Sequence, residues 1–367
     1  MSDNRRQYHT IRNALNKCYP TEPEGRLARH LNTLAGLVSG IVSSGRTNLP
    51  QIAAKIPDGT LPESRVKRFS RWIDNKRIDL DTYFLPYAEH LLASLSSARL
   101  FLVMDSSAIG RNCATLVLNV VYKQRALPLV WLVAPGSKGH FAEVDHIWLV
   151  QQVHRLLPDG VEVVFLGDGE FDGVGLLDQL DTYGWQYVCR TAKSSIVWQG
   201  ESSFSLQRFD LEEGQRLCWT NMRFTRQAYG PVHLILWWAK GNEEPLYLVT
   251  NVAKTGQACS WYGKRFRIET FFSDQKSRGF HLHKTHLADP KKLERLMMAA
   301  CLAYIWIIYL GCMAIADGWI AVIHRSHRCD LSLFQLGLRL RDFFLNEAED
   351  VPVAFQILLF DDEESVR

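Results

Sequence analysis

Glu269 stands among cations in the run Tyr262-Gly-Lys-Arg-Phe-Arg-Ile-Glu-Thr-Phe-Phe-Ser-Asp-Gln-Lys276. Read at 3.6 residues per turn, Tyr262, Arg265, Glu269 and Lys276 fall on one helical face, and Phe266, Ile268, Phe271 and Phe272 are left to pin the helix to a core. A carboxylate so presented suits a metal ion, and its cationic neighbours suit phosphate. The competing reading is an ordinary solvated helix in which Arg265 and Glu269 form an i,i+4 pair.

The spacing Tyr-x2-Arg-x3-Glu-x6-Lys resembles that of DDE transposases of the insertion-sequence-4 family, and all four positions match. The resemblance implies two further carboxylates upstream, each at a strand end. Leu100-Phe-Leu-Val-Met-Asp105 reads as a buried strand delivering Asp105, and Val161-Glu-Val-Val-Phe-Leu-Gly167 as another delivering Asp168. Glu143, Asp145, Glu170 and Asp172 are rivals for the second place. Asp168 is preferred because it directly follows the strand and because Asp168-Gly-Glu-Phe171 resembles the family motif. An aspartate at a strand end is, taken singly, more often a turn or cap residue.

The elements that must position these groups follow in order. Residues 1–95 read as helical: Arg26 to Ser44 is a periodic apolar helix, Thr47 to Ile56 a short capped one, and Glu63 to Asn75 a basic one. The last buries Val66, Phe69 and Ile73 and leaves Arg65, Lys67, Arg68 and Arg71 to meet phosphate, so 47–75 is a helix-turn-helix candidate, with a plain helical bundle as its alternative. Past Ser97, Cys113 to Tyr122 and Ala126 to Ala134 continue a strand meander. A helix follows from His140 to Leu157 with Val144, Ile147, Trp148 and Val153 inward, then a helix from Gly173 to Asp181 and the strand Gln186 to Arg190. Three strands, helix, strand, helix, strand is the order of an RNase H-like fold. Residues 193–244 read as short antiparallel strands, a β-rich insertion such as the family carries between its second aspartate and its glutamate.

The expected fold class is therefore α/β: an all-helical DNA-binding domain at 1–95, an RNase H-like core at 96–192 and 245–330 interrupted by the insertion, and an extension at 331–367 with an acidic tail. Asp105, Asp168 and Glu269 would all be ionised and form a poor acid/base set, but they are suitable hard oxygen ligands for Mg²⁺. Two ions, Mg²⁺ or Mn²⁺ in its place, about 4 Å apart would serve an in-line displacement at phosphorus. The resemblance gives Tyr262, Arg265 and Lys276 the flanking phosphates, with Arg190 and Lys284 as further candidate DNA contacts. His281, His283 and His286 are assigned to DNA contact or surface, because no fourth ligand closes a zinc site. In hairpin-forming members a tryptophan on the last insertion strand stacks on a flipped base. Leu246 stands at the corresponding place here, with Tyr247, Trp237 and Trp238 as aromatic substitutes.

Bulk properties agree with this reading without proving it. The 367 residues carry a formal net charge of +3. Basic residues concentrate at 1–95, with 14 Lys and Arg against 9 Asp and Glu, and at 261–300, with 9 against 4. The eight cysteines show no C-x-x-C pair and are expected as reduced thiols of a cytoplasmic protein with no secretory signal, and the family resemblance implies a bacterial one. Leu296 to Ala316 has the length of a membrane span but is read as a buried core helix. The expected activity is metal-dependent cleavage and transfer of double-stranded DNA at terminal inverted repeats by a homodimer. An inactive relative that only binds DNA is the first alternative; a nuclease without strand transfer and a purely structural α/β protein are others.

Overall fold

The computed structural model describes residues 3–96, 99–136, 141–325 and 330–358. The expected acidic tail at Asp361 to Glu364 and the first residue of the helix expected from His140 lie outside the described residues.

The chain opens with helices α1 (Asp3–Asn16), α2 (Gly25–Ser44), α3 (Leu49–Ala54), α4 (Pro62–Asp74), α5 (Leu80–Tyr83) and α6 (Leu85–Leu95). Asn48 caps α3 by accepting from Gln51 N at 3.1 Å, and Pro62 opens α4 at its first helical position, where no N–H is needed. Strands β1 (Leu100–Ile109), β2 (Cys113–Tyr122) and β3 (Arg125–Pro135) form a meander, followed by α7 (Glu143–His154), β4 (Val163–Gly167), α8 (Val174–Thr182) and β5 (Gln186–Arg190). Then come β6 (Ile196–Gln199), β7 (Ser202–Ser205), β8 (Arg216–Phe224), β9 (Tyr229–Trp237) and β10 (Leu246–Thr250). The chain continues through α9 (Thr255–Tyr262), α10 (Arg267–Gln275), α11 (Pro290–Ala316), α12 (Ile320–Ile323) and α13 (Leu333–Asn346).

The described strands form one mixed sheet in the order β3-β2-β1-β4-β5-β10-β9-β8-β6-β7. β1, β4 and β5 run parallel, with Val103 beside Leu166 and Leu166 beside Val188; the other pairings are antiparallel. Runs of consecutive buried residues in β2 and β4 need cover on both faces. Helices α6, α7, α10 and α11 pack on the meander to supply it.

Several expectations are corrected. The strands of the expected β-rich insertion, β6 to β9, extend the main sheet, because β9 pairs with β10 over His233 to Trp237, Leu246 opposite Trp237 and Thr250 opposite His233. β1 does not end at Asp105: its pairing with β2 runs on to Ile109, while its pairing with β4 stops at Val103. α7 turns Val144 and Trp148 to solvent and buries His146, Leu149, Val150 and Val153. That set follows the i, i+3, i+4, i+7 rule, with a histidine occupying a core place.

α11 is long and apolar enough to cross a bilayer by length and composition, and 89% of its most apolar window is buried within the protein. It lies against α2, α4, α13, β3 and α5. Arg295, nearly buried on α11, donates to Ile78 O at 3.0 Å and Ile73 O at 2.9 Å. This contact ties the core helix to the carboxyl end of α4.

Candidate active site

Asp105 lies two residues past Val103 on β1, and Asp168 two residues past Leu166 on β4; Val103 and Leu166 are the last paired residues of these parallel neighbours. Each aspartate thus follows, by two residues, the last paired position of two adjacent parallel strands. Asp105 is 5% exposed and accepts from Ser106 N at 2.7 Å. Asp168 forms a tight turn: its Oδ1 accepts from Glu170 N at 3.0 Å and its carbonyl from Phe171 N at 3.0 Å. Fully buried Phe171 anchors that turn, which explains the Asp-Gly-Glu-Phe sequence.

Two rivals of Asp168 serve helix ends. Glu143 accepts from Leu176 N at 2.9 Å at the start of α8, and Asp145 from Ala142 N at 3.0 Å at the start of α7. Burial pushes the Asp172 carboxyl above its ordinary range, against a hydrogen bond with Thr191. Glu170 reaches towards β1, with Ser106 Oγ at 3.5 Å.

The expected single helical face from Tyr262 to Lys276 is broken. α9 ends at Tyr262, a 3₁₀ turn spans Gly263–Phe266, and α10 starts at Arg267; Lys276 lies past its end at φ −104°, ψ −107°. At three residues per turn Tyr262 and Arg265 eclipse each other, so both turn inward. Tyr262 is 1% exposed rather than presented outward, and burial raises its phenol, with Arg265 and Arg190 pulling the other way. Phe266 is exposed instead of pinning the helix. Its ring lies 4.5 Å from the Arg265 guanidinium and serves as a platform for it.

Arg265 is the bridge in this arrangement. Its Nη1 lies 3.9 Å from Asp168 Oδ2 and its Nη2 3.9 Å from Glu269 Oε1. Lys276 comes from beyond α10 to donate to Ser107 Oγ at 2.6 Å, two residues past Asp105 on β1. Arg265 thus stands by Asp168 just past β4, and Lys276 by Ser107 on β1, where the pairing of β1 with β4 has ended. Glu269 reaches Asp168 through Arg265, with a side chain 61% exposed.

Among the described residues no three His, Cys, Asp or Glu side chains are grouped so as to hold a metal. Asp105 and Asp168 offer an oxygen donor pair that fits a hard divalent cation. Glu269 completes such a set only if its carboxylate leaves Arg265. His281 and His283 stand with ring centroids 5.9 Å apart, and burial and then neighbouring cations lower the proton affinity of both.

The other predicted contacts divide. Arg65 is not available to phosphate: it donates to Ala53 O at 3.1 Å, Asp58 O at 2.8 Å and Thr60 O at 2.6 Å, and its Nε lies 2.7 Å from Asp58 Oδ1. It braces the turn between α3 and α4. Arg68 pairs with Asp58 at 2.8 Å and Arg190 with Glu244 at 2.7 Å. Lys67 and Arg71, four residues apart on α4, and Lys284 are exposed. Leu246 faces Trp237 across β10 and β9, and Trp237, Trp238 and Tyr247 are half-buried.

Sequence reasoning missed Ser107 and Phe266. For Ser107 the signal was present in Asp105-Ser-Ser107, since residues i and i+2 of a strand share a face.

Residues 96–306, more than half of the chain, match the protein family described as Transposase DDE domain. No curated protein matches the chain. Among solved structures it is similar to a piggyBac transposase synaptic complex with hairpin DNA, at 12% identity over 95% of this chain and 79% of that chain, with a TM-score of 0.45.

Proposed function

The chain belongs to the transposase DDE domain family, and from that premise we propose that it cleaves DNA at the ends of an insertion sequence and joins them to a new site. The observation that carries this reading is that Asp105 and Asp168 each follow by two residues the last pair of the parallel strands β1 and β4, with Arg265 near Asp168 and Lys276 bonded to Ser107, two residues past Asp105. The strand order around them supports an RNase H-like core, and the spacing of Tyr262, Arg265, Glu269 and Lys276 supports a place in the insertion-sequence-4 family. We assign 1–95 to binding of terminal repeats, chiefly through Lys67 and Arg71, and expect a homodimer acting on paired ends in the bacterial cytoplasm.

A divalent cation such as Mg²⁺, held by Asp105, Asp168 and Glu269, would supply charge neutralisation and activation of the attacking oxygen. The chain's own groups bind and orient. Lys276, fixed by Ser107, takes one phosphate oxygen beside Asp105. Arg265, freed from Glu269 by an arriving phosphate, takes another with its planar fork.

A supercoiled plasmid carrying the DNA that flanks the coding segment, incubated with the purified chain and Mg²⁺, tests this. The wild type is expected to cut it, and Asp105→Asn, Asp168→Asn and Glu269→Gln each to slow cutting by at least ~10²-fold with DNA affinity kept. The exposure of Glu269 favours one second reading, a chain that binds DNA without cutting it. Wild-type binding without cleavage would put that reading first, and full cleavage by Glu269→Gln would remove Glu269 from the site.

A further inference from the structure

Arg5, Tyr8 and His9 of α1 share one helical face, at i, i+3 and i+4. That face looks across a cleft of about 570 Å³ at Arg29, His30 and Asn32 of α2, and the turn from Ile56 to Gly59 with Arg68 closes the third side. The walls are braced. Tyr8 Oη donates to Asn32 O at 3.3 Å, and Trp72 Nε1 to His30 O at 3.1 Å. The His30 ring is held by Tyr83 Oη at 2.6 Å and Asn75 Nδ2 at 3.4 Å.

Among the described lining residues Asp58 is the one carboxylate, and it is already engaged. Arg65 lies at 2.7 Å and Arg68 at 2.8 Å, and Thr60 donates both its N–H and its hydroxyl to Oδ1, at 3.2 and 2.5 Å. The cleft is thus an uncompensated cationic hollow. Burial lowers the proton affinity of His9 and His30, and nearby cations add to it: Arg12 and Arg5 at His9, and Arg26, Arg29 and Arg77 at His30.

Arg5 and Arg29 are both exposed and line the cleft from α1 and from α2. The volume exceeds what a single phosphate needs, and the floor of Ile56 and Pro57 is apolar. The geometry points to a binding site for the sugar-phosphate backbone of duplex DNA in the α1–α2 cleft, gripped by Arg5 and Arg29 from either side. Lys67 and Arg71 are not among the residues that line this cleft. The inference rests on the reading that residues 1–95 bind DNA, and it adds a second contact surface to that domain.

The test uses the full chain, a short fluorescein-labelled duplex of mixed sequence, and anisotropy titrations at several KCl concentrations. Arg5→Gln/Arg29→Gln is expected to weaken binding about tenfold or more and to flatten the slope of log K against log salt by about 2, close to 0.9 for each phosphate that is no longer neutralised. Its thermal midpoint should match the wild type, because neither arginine is buried. Lys67→Gln/Arg71→Gln is run alongside. If that pair alone loses affinity, the cleft assignment is overturned and the α4 reading stands; if the Arg5/Arg29 pair alone loses it, the reverse holds. Wild-type affinity and slope in both would overturn both.

Discussion

Asp274 shows how a carboxylate near the candidate site contributes to stability rather than chemistry. It is 4% exposed on α10 and pairs with Arg125 at 2.8 Å at the start of β3. Burial pushes its carboxyl up to about 6, outweighing Arg125 and Arg278. A carboxyl whose folded pKa is raised contributes stability that is present below its unfolded value near 4 and lost as the pH rises through about 6. Urea midpoints at pH 4 and pH 7 should show wild type losing roughly 2–3 kcal/mol more than Asp274→Asn over that interval. Equal losses in the two proteins would show that the burial cost is not expressed. At this scale the sequence was only partly readable. The types and spacing singled out Asp105 and Asp168, which follow the last β1–β4 pair, and Arg265, which lies by Asp168, but Arg65 looked free and is a turn brace. A guanidinium looks the same in sequence whether it meets water or three carbonyls. The 3₁₀ turn at Gly263–Phe266 was equally hidden, because one helical period was assumed throughout.

Among the elements, β2 and β5 run over the residues expected, because continuous apolar runs between turn residues leave few alternatives. α7 was misread by choosing Val144 and Trp148 for their hydrophobicity over the stripe that includes His146. The contact of α11 with α13 depends on two glycines. A Cβ at Gly337 would lie 1.9 Å from Ile307 O, and one at Gly311 would lie 2.0 Å from Leu333 O. Both oxygens are backbone, so the helices must separate to admit a side chain. Gly337→Val should therefore cost at least about 1–3 kcal/mol, read as a lower midpoint in thermal unfolding. An unchanged midpoint would mean that α13 lifts without penalty. α13 also donates through Arg341 to Gln7 Oε1 at 2.7 Å and Ser43 Oγ at 3.1 Å, so loosening it should slacken α1 and α2 as well.

At the scale of the whole molecule, the continuity of the sheet gives the strands from β6 to β9 a structural duty. They cover the edge of β10, which is hydrogen-bonded on its other side to β5. Replacing residues 196–237 by a short linker should bare that edge and drive self-association, visible as high-mass species in light scattering. A monomeric truncated chain would show the edge to be tolerated. That continuity was not legible in the sequence, since short alternating strands say nothing of which edge they join. Nor was the tie made by Arg295, whose hydrogen bonds reach more than two hundred residues back to the end of α4. Its consequence is metrical. α11 carries the first helices on one flank and lies against β3, beside α10, on the other, so the span from α4 to the aspartate pair is set by packed atoms rather than by a hinge. On the proposed reading the molecule is a ruler: whatever base pairs α4 holds, the strand is cut at a fixed count from them, and inserting or removing a base pair between the two marks moves the cut by that amount.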